Sequence, residues 1–201
     1  HMSGLLSANV LNRYKKDNFH SFSLHPLQSI ANFEEGIRLL PNSYFTLEGN
    51  KAGKRYGKKL AESLNLEYSV IDSQYKPLYH TAAVMASNYF VTLINSSFNL
   101  LQKGNIDKKE IREGILNLVQ GTLDNINKMG TEAALTGPIS RGDVKTIKKY
   151  IHTLGNLDSS YVELYKMMGR FTLNLLDENL LLAGGSKIEQ METIFNNLDV
   201  G

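Results

Sequence analysis

The chain has 201 residues, of which 42% are hydrophobic and 21% charged, and it carries a formal net charge of +2. This composition is typical of a soluble globular protein with a real core. The mild basicity argues weakly for an anionic ligand and hardly at all for nucleic acid. The absence of cysteine excludes disulfides, zinc–thiolate sites and thiol catalysis, and suits the cytoplasmic location that we expect.

The first part of the chain, to about Asp72, predicts strands that alternate with a helix. Runs rich in aromatic or β-branched residues predict strands at residues 19–24, 43–47 and 67–71. Apolar positions that recur every three or four residues predict a helix between the last two strands. A strand–helix–strand order is typical of a parallel sheet, so we expect a partial parallel sheet here.

From Pro77 onward the pattern predicts helices only. Residues 77–102 contain no Asp, Glu, Lys or Arg, a length that would cross a bilayer. Several polar side chains within this stretch would lack hydrogen bonds in hydrocarbon, so we expect a helix buried in protein that runs to about Lys103. Further helices are predicted at residues 108–129, with Asp107 as its cap and Gly130 as its stop, and at residues 144–153, 160–176 and 187–197.

These two patterns divide the chain just before Pro77. We expect residues 1–74 to form the C-terminal part of an α/β domain and residues 75–201 to form an all-helical domain. The long helix is apolar on nearly every side, so it needs more cover than four shorter helices supply. A homodimer would provide that cover. We expect no membrane and no nucleic acid among the partners.

Three polar groups of residues are candidates for a site, and the first surrounds His25 in Ser-Leu-His-Pro-Leu-Gln-Ser. It ends a predicted strand, at the edge where open parallel sheets bind ligands. A histidine there transfers a proton or binds a substrate oxygen. The alternative is a structural histidine in a turn that proline fixes, and the residues alone leave both open.

The second group is His80, Ser87 and Asn88, which interrupt the apolar helix. Their spacing of seven or eight residues is two helical turns, so they lie near one face. Buried polar groups need hydrogen-bond partners. Contacts between core helices and a substrate cleft would both supply them.

The third group is the break between helices at Thr136-Gly-Pro-Ile-Ser-Arg-Gly-Asp143. Its glycines and Asp143 have a structural explanation as helix stops and a helix cap. Arg141 is the exception, because a fixed guanidinium binds carboxylate or phosphate in a bidentate grip, or pairs with a neighbouring acid.

Taken together, these segments resemble a bacterial group of Rossmann-like oxidoreductases whose helical C-terminal half is a domain of unknown function. The group is similar in plan to pyrroline-5-carboxylate reductase, prephenate dehydrogenase and the deazaflavin-dependent NADP oxidoreductases. The resemblance covers nearly the whole chain. It rests on Ser-Leu-His-Pro-Leu-Gln-Ser, Tyr-Phe-Thr-Leu-Glu-Gly, Leu-Tyr-His-Thr-Ala-Ala-Val-Met-Ala-Ser-Asn-Tyr, Thr-Leu-Asp-Asn and Ala-Leu-Thr-Gly-Pro-Ile-Ser-Arg-Gly-Asp.

The resemblance implies a partial Rossmann-like sheet and a helical dimerisation domain of the 6-phosphogluconate dehydrogenase C-terminal type. It implies hydride transfer between NADP or NAD and a small carbonyl, imine or hydroxy substrate in a cleft between the domains. The implied catalytic residues are His25, His80 and Asn88. The implied substrate contacts are Ser29, Ser87, Thr136, Gly137, Arg141 and Asp143, and the implied cofactor contacts are Ser3, Gly4 and Pro26.

The chain departs from this family in one respect, because Gly-x-Gly-x-x-Gly occurs nowhere in it. Gly4 looks like the end of a later strand of the cofactor domain, so we expect that the glycine-rich half is missing and that this chain binds NAD(P) poorly. The alternative is a non-catalytic dimerisation or small-ligand-binding module. No histidine spacing predicts a metal site.

Overall fold

The structure is a computed structural model that describes residues 1–14, 19–176 and 185–197. The chain divides into two compact units, His1–Ser97 and Phe98–Gly201, called here the first and second unit. As predicted, it combines a small sheet with a large share of helix. The predicted division into domains 1–74 and 75–201 stays a prediction.

The first unit is built on a small sheet, and its elements follow in chain order. They are a 3-10 helix (Ala8–Tyr14), β1 (Phe22–Pro26), α1 (Phe33–Leu39), a 3-10 turn (Leu40–Asn42), β2 (Tyr44–Gly49), α2 (Lys51–Ser63) and β3 (Glu67–Val70). The three strands lie in the order β1–β2–β3. β2 and β3 are parallel, with Tyr44 opposite Glu67, and helix α2 joins them as the strand–helix–strand pattern predicts.

β1 runs antiparallel to β2, with Phe22 opposite Gly49 and Pro26 opposite Phe45. The prediction of a partial parallel sheet holds for β2 and β3 and is wrong for β1 and β2. Apolar alternation shows which face of a strand is buried, but it carries no information about strand direction. The intervening α1 was not predicted, and its seven residues span only about 10 Å, less than the roughly 16 Å of a five-residue strand.

The N-terminal residues extend the sheet on the other side of β1. The backbone nitrogen of His1 donates to the carbonyl of Phe22 at 3.1 Å, and its carbonyl accepts from the amide of Leu24 at 3.0 Å. A residue that bonds to both neighbours of the opposing residue has the parallel pattern. The carboxyl ends of this segment and of β1 therefore lie at one edge of the sheet.

Helix α2 packs on the sheet through a face of small residues, Gly53, Gly57 and Ala61, which are all buried. A Cβ on Gly53 would lie 2.0 Å from the carbonyl oxygen of Ser21, and one on Gly57 would lie 2.3 Å from Leu47 Cδ1. Only glycine permits this approach at these two positions, and it brings the α2 backbone close to the buried face of the sheet.

A continuous helical run follows the sheet, as the uncharged stretch predicts, with Pro77 in its first turn. It consists of α3 (Lys76–Val84), a π-helical segment (Met85–Tyr89) and α4 (Phe90–Lys103). In the single chain this run is not a buried helix, so that prediction is wrong for the chain by itself. Large apolar side chains along it are exposed because no other part of the described chain covers them: Leu78 (70%), Met85 (56%), Tyr89 (59%) and Val91 (67%). Over the described residues, no helix combines the length and apolarity that crossing a membrane requires.

The second unit is helical and has a small core. Its core cluster of buried apolar residues consists of Ile147, Leu173, Met191 and Phe195. The Asp107 and Asp143 side chains accept hydrogen bonds from backbone amides at the starts of α5 and α6, which confirms their prediction as helix caps. Its helices are α5 (Lys108–Ala134), α6 (Val144–Gly155), α7 (Ser159–Leu173) and α8 (Gly185–Asn196).

Helix α5 differs from the others because none of its 27 residues is buried. Its backbone leaves the helical conformation at Gly130, where φ is 83° and ψ is 174°, at the residue predicted to stop this helix. Exposed apolar side chains follow its length: Leu116, Leu118, Leu123, Ile126 and Met129.

Candidate functional site

A cavity of about 530 Å³ lies in the first unit, between the end of β1 and the helical run that starts at α3. Five residues that the sequence singles out line it together: His25, Ser29, His80, Ser87 and Asn88. The structure thus joins the first two candidate groups, which are more than 50 residues apart in the sequence, at one place. Their catalytic and binding roles stay predictions.

His25 is held by an aromatic neighbour, Tyr79, which directly precedes His80 in the sequence. Its Nδ1 lies 2.8 Å from the hydroxyl of Tyr79, and the two rings meet edge to face. The ring of His80 is also perpendicular to that of His25, with centroids 6.2 Å apart. Burial, and then the charges of Lys76 and His80, lower the pKa of His25, so its imidazole is neutral at neutral pH.

The other nitrogen of His25, Nε2, lies beside Gly4, and so does Nδ1 of His80. A Cβ on Gly4 would lie 2.8 Å from His25 Nε2 and 2.8 Å from His80 Nδ1, so any side chain at this position would collide with both rings. The two nitrogens are at most about 5.6 Å apart, twice that distance. His80 Nδ1 is buried and has no hydrogen-bond partner among the described residues.

Lys76, only 1% exposed, lies close enough to His25 for its charge to act on that ring. Its ammonium donates to the Ser3 carbonyl and to Ser23 Oγ, both at 2.8 Å, and Ser23 Oγ also lies 2.9 Å from the Ser3 carbonyl. Burial lowers the pKa of Lys76, and the charge of Glu48 partly offsets that effect. This lysine joins the N-terminal segment, β1 and α3, and it places a cation near His25.

Sequence reasoning missed Lys76, although a signal was present. Lys76 is the first residue of α3, where a cation interacts unfavourably with the helix dipole. Its presence there indicates that another contact in the fold compensates for this unfavourable interaction. Buried Glu48 was also missed. It accepts from the amide of Ala8 at 2.7 Å and from the hydroxyl of Ser7 at 3.1 Å, which fixes the segment after Gly4 to β2.

Ser87 and Asn88 lie in the π-helical segment rather than in a regular α-helix. Ser87 Oγ lies 2.8 Å from the Ala83 carbonyl and 2.9 Å from Asn88 Oδ1. Single π turns inside α-helices occur frequently at functional sites. The wider turn changes the angle of these side chains from what regular helical spacing predicts, yet both still line the cavity with His80.

The remaining predicted site residues are placed as follows. Of the predicted cofactor contacts, Ser3 binds Lys76 through its carbonyl, Gly4 lies against the two imidazoles, and Pro26 is buried at the end of β1. The predicted substrate contacts Thr136, Gly137, Arg141 and Asp143 belong to the second unit and are absent from the described lining of this cavity.

Within the second unit, Asp143 acts as the N-cap of α6. Its carboxylate accepts from the amide of Thr146 at 3.1 Å and from the hydroxyl of the same residue at 2.7 Å. These bonds lower the pKa of Asp143, and the exposed Arg141 lowers it further. Gly137 has a φ of +99°, which favours glycine in the turn before α6. Structural roles thus account for two of the four residues.

No cluster of three or more His, Cys, Asp or Glu side chains that would suit a metal ion occurs within residues 1–14, 19–176 and 185–197.

Comparison with known proteins gives a matching family model and several similar solved structures, two of which are described here. The model of a domain of unknown function, DUF2520, matches residues 43–172. The chain is 32% identical to protein TM1727 from Thermotoga maritima, with a TM-score of 0.75, over 89% of this chain and 68% of that protein. No match was found among curated proteins.

The second solved structure is that of the "putative NADP oxidoreductase BF3122 from Bacteroides fragilis". It is 21% identical to this chain, with a TM-score of 0.67, over 87% of this chain and 64% of that protein. At this identity the likeness shows a shared fold. The chain spans about two thirds of the length of each of the two solved proteins.

Proposed function

The chain belongs to the DUF2520 family, and from that premise we propose that it supplies the substrate site of an NAD(P)-dependent oxidoreductase. The reaction is hydride transfer between a nicotinamide and a small carbonyl, imine or hydroxy substrate. One observation carries the proposal: a single cavity gathers His25, His80, Ser87 and Asn88 where the N-terminal segment and β1 end. The carboxyl ends of parallel strands are where α/β sheets bind nucleotides and their substrates.

The name of BF3122 adds support from a protein of the same fold, because it describes an NADP oxidoreductase. The proposal extends that activity to this family member. TM1727 supports the family assignment, and its name states no activity.

The residues present suit one end of a dinucleotide. Gly4 packs directly against His25 and His80, and Ser3 and Pro26 stand at the same edge, so we propose that these three residues contact the nicotinamide end of the cofactor. The glycine-rich turn that binds the pyrophosphate is not in these 201 residues. We therefore propose nucleotide binding only for a polypeptide that also carries such a turn.

The protein groups have separate roles in this reaction. When bound, the nicotinamide supplies the hydride to the substrate carbon or accepts it. In the direction of reduction, the imidazolium form of His25, a minor but strongly acidic species because the pKa is lowered, gives its Nε2 proton to the substrate oxygen and becomes neutral imidazole as the substrate carbon gains the hydride. The Tyr79 hydroxyl orients the ring through Nδ1, and the Asn88 amide orients the substrate.

We also propose that the protein is a homodimer through its helical unit. α5 buries none of its residues in the single chain and carries an apolar stripe along its length. A helix without tertiary packing is marginally stable in water even when its sequence is favourable. A second copy of the chain would cover this stripe by a closed, symmetric contact.

The test compares two polypeptides for NADPH binding and turnover. The 201-residue chain should show no saturable NADPH binding at micromolar concentration, whereas the chain joined to a glycine-rich dinucleotide-binding half should bind and turn over. In that longer protein, His25→Ala and His80→Ala should each lower kcat by about 100-fold. His152→Ala on α6 is the control and should have no effect.

Two results would count against this function. Micromolar NADPH binding by the 201-residue chain contradicts the requirement for a glycine-rich turn. Undiminished turnover by both histidine variants would show that the cavity takes no part in the reaction.

A second candidate has one observation in its favour, the lack of Gly-x-Gly-x-x-Gly in this sequence. The same cavity then belongs to a non-catalytic module that binds a small ligand and dimerises. NADPH binding without turnover of any carbonyl, imine or alcohol substrate by the longer protein would favour this candidate.

A further inference from the structure

One face of helix α2 concentrates positive charge. Its cations recur at positions i, i+3, i+4, i+7 and i+8, the spacing that places side chains on one side of a helix. The whole chain has a net charge of only +2, so this face is far more basic than the molecule as a whole. The cations are Lys51, Lys54, Arg55, Lys58 and Lys59.

These five side chains line one surface pocket of about 520 Å³. Val70, the last residue of β3, forms its apolar border, and Glu62 is the one carboxylate in its described lining. The buried face of α2 packs on the sheet through Gly53 and Gly57, so the basic face is directed towards solvent. We propose that this pocket binds a compact polyphosphate anion, at a site separate from the cavity of His25.

The cations of this pocket lack compensating acids. In the described part of the chain, none of the five forms an ion pair. The carboxylate of Glu62 accepts a hydrogen bond from the Tyr68 hydroxyl at 3.3 Å instead. Like charges three or four residues apart repel one another on a helix, as those of Lys51 and Arg55 do. A bound polyanion would offset this repulsion and would interact with several cations at once.

Arg55 is held in place by aromatic neighbours before any ligand binds. Its guanidinium lies over the ring of Tyr56, 5.6 Å from the ring centroid, and Tyr56 stacks on His20 with centroids 5.2 Å apart. An arginine that stacks on an aromatic face keeps the N–H groups at its edge available for oxygen atoms. A phosphate group accepts two parallel hydrogen bonds from such an edge.

The limits of the pocket favour a compact anion over an extended one. Lys51 and Lys59 are eight residues apart, which corresponds to about 12 Å along the helix. Glu62 follows within one turn and would repel an anion that continued in that direction. At the other end, the helix dipole adds positive potential at Lys51, the first residue of α2. Adjacent phosphate groups place the most negative charge within this length.

The test uses nuclear magnetic resonance of the backbone amides of the 201-residue chain at low salt. Inorganic triphosphate is the probe, and it should shift the amide signals of α2 in a saturable way, with a dissociation constant on the order of 0.1 mM. Added salt should weaken this binding. Orthophosphate and a thymidine trinucleotide, whose phosphate groups are spaced further apart, should each bind at least about tenfold more weakly.

Two double variants separate this site from general attraction to a basic protein. Lys54→Gln with Lys58→Gln should weaken triphosphate binding at least about tenfold. Lys148→Gln with Lys149→Gln removes the same charge from α6 and should leave the binding unchanged. Amide signals outside the changed helix should stay in place in both, which shows that the fold is intact.

Removing the carboxylate of the pocket should have the opposite effect. Glu62→Gln should strengthen triphosphate binding about two- to fivefold, the range of one exposed charge–charge interaction. Glu113→Gln on α5 removes a carboxylate outside the pocket and should have no effect.

Four results would overturn the proposal. They are the absence of a saturable shift in α2, equal losses in the two double variants, trinucleotide binding as tight as that of triphosphate, and binding to phosphatidylglycerol vesicles that only the Lys54→Gln/Lys58→Gln variant loses. The third would assign the face to nucleic acid and the fourth to a lipid surface. The described linings of this pocket and of the cavity of His25 share no residue, so the NADPH-dependent reaction is tested independently.

Discussion

The hydroxyl of Tyr79 lies 2.8 Å from Nδ1 of His25, which leaves Nε2 as the nitrogen that faces Gly4 and His80. This contact determines how the ring is oriented. We expect it to favour one neutral tautomer of His25 over the other, since the hydroxyl either donates to Nδ1 and leaves the proton on Nε2, or accepts from a protonated Nδ1.

Tyr79→Phe should remove this preference while keeping the ring–ring contact. We expect the nitrogen-15 shifts of His25 to move towards a mixture of tautomers, and turnover by the longer protein to fall about tenfold, the effect of one lost hydrogen bond. Tyr89→Phe is the control, because Tyr89 is 59% exposed and is not among the lining residues. Unchanged nitrogen shifts in Tyr79→Phe would show that the contact does not select the tautomer.

Lys76→Met should raise the pKa of His25, because it removes a cation that disfavours the imidazolium. Burial and the charge of His80 continue to lower the pKa of His25 in this variant, so the value recovers only in part. A titration of the His25 ring by nuclear magnetic resonance measures the change. Lys76→Arg keeps the charge, and Lys148→Met removes a charge on α6 that is not among those that lower the pKa of His25, so neither should raise the midpoint.

The lowered pKa of His25 also predicts how stability depends on pH. Above the ordinary value of 6.5 the ring is neutral in both the folded and the unfolded chain. As the pH falls below 6.5, the unfolded chain takes up a proton that the folded chain resists, so the free energy of unfolding should decrease. Urea unfolding at several pH values between 7.5 and 5.5 measures this slope.

His25→Gln should flatten that part of the profile, because it removes the titrating group. Carboxylates whose pKa is lowered, such as Asp143 and Asp158, stay ionised throughout this range and do not contribute to the slope. An identical slope in the variant would mean that another group controls stability here.

Gly53→Ala should destabilise the first unit by about 3 kcal/mol, because the new Cβ would lie 2.0 Å from the carbonyl oxygen of Ser21. Backbone must move to relieve this contact. Gly121→Ala, also in a helix but with open space around it, should stabilise the chain by up to about 1 kcal/mol. Denaturant unfolding compares the two variants, and equal effects of both would contradict the close packing of α2 on β1.

The proposed dimer makes a separate prediction on α5. Leu118 is 66% exposed in the single chain, and a glutamate in its place would bury a charge at the contact between subunits. Leu118→Glu should weaken dimerisation at least about tenfold in sedimentation experiments over a range of concentrations. Glu113→Gln on the same helix is the control. A wild-type chain that is monomeric at all concentrations would rule out the dimer.

Local patterns were enough to predict many of the elements. Three- and four-residue spacing predicted α2 and the long helical run, and the caps Asp107 and Asp143 follow from side chains that bond to amides two or three residues away. The same local reasoning selected His25 and His80, because each is a polar residue in an apolar or structural setting. These features depend on atoms that are close in the sequence, so the sequence alone determined them.

Only the tertiary structure decided how these pieces meet. The antiparallel direction of β1 and the burial of Lys76 against Ser3 and Ser23 depend on pairing between distant segments, as does the fit of Gly4 between the two imidazoles. The structure also decided which side chains of the long helix are exposed, because apolar periodicity shows that a face needs cover but not which residues the same chain covers. Hydrophobic pattern and capping act over a few residues, whereas this cavity is set by contacts that span more than 50 residues of chain.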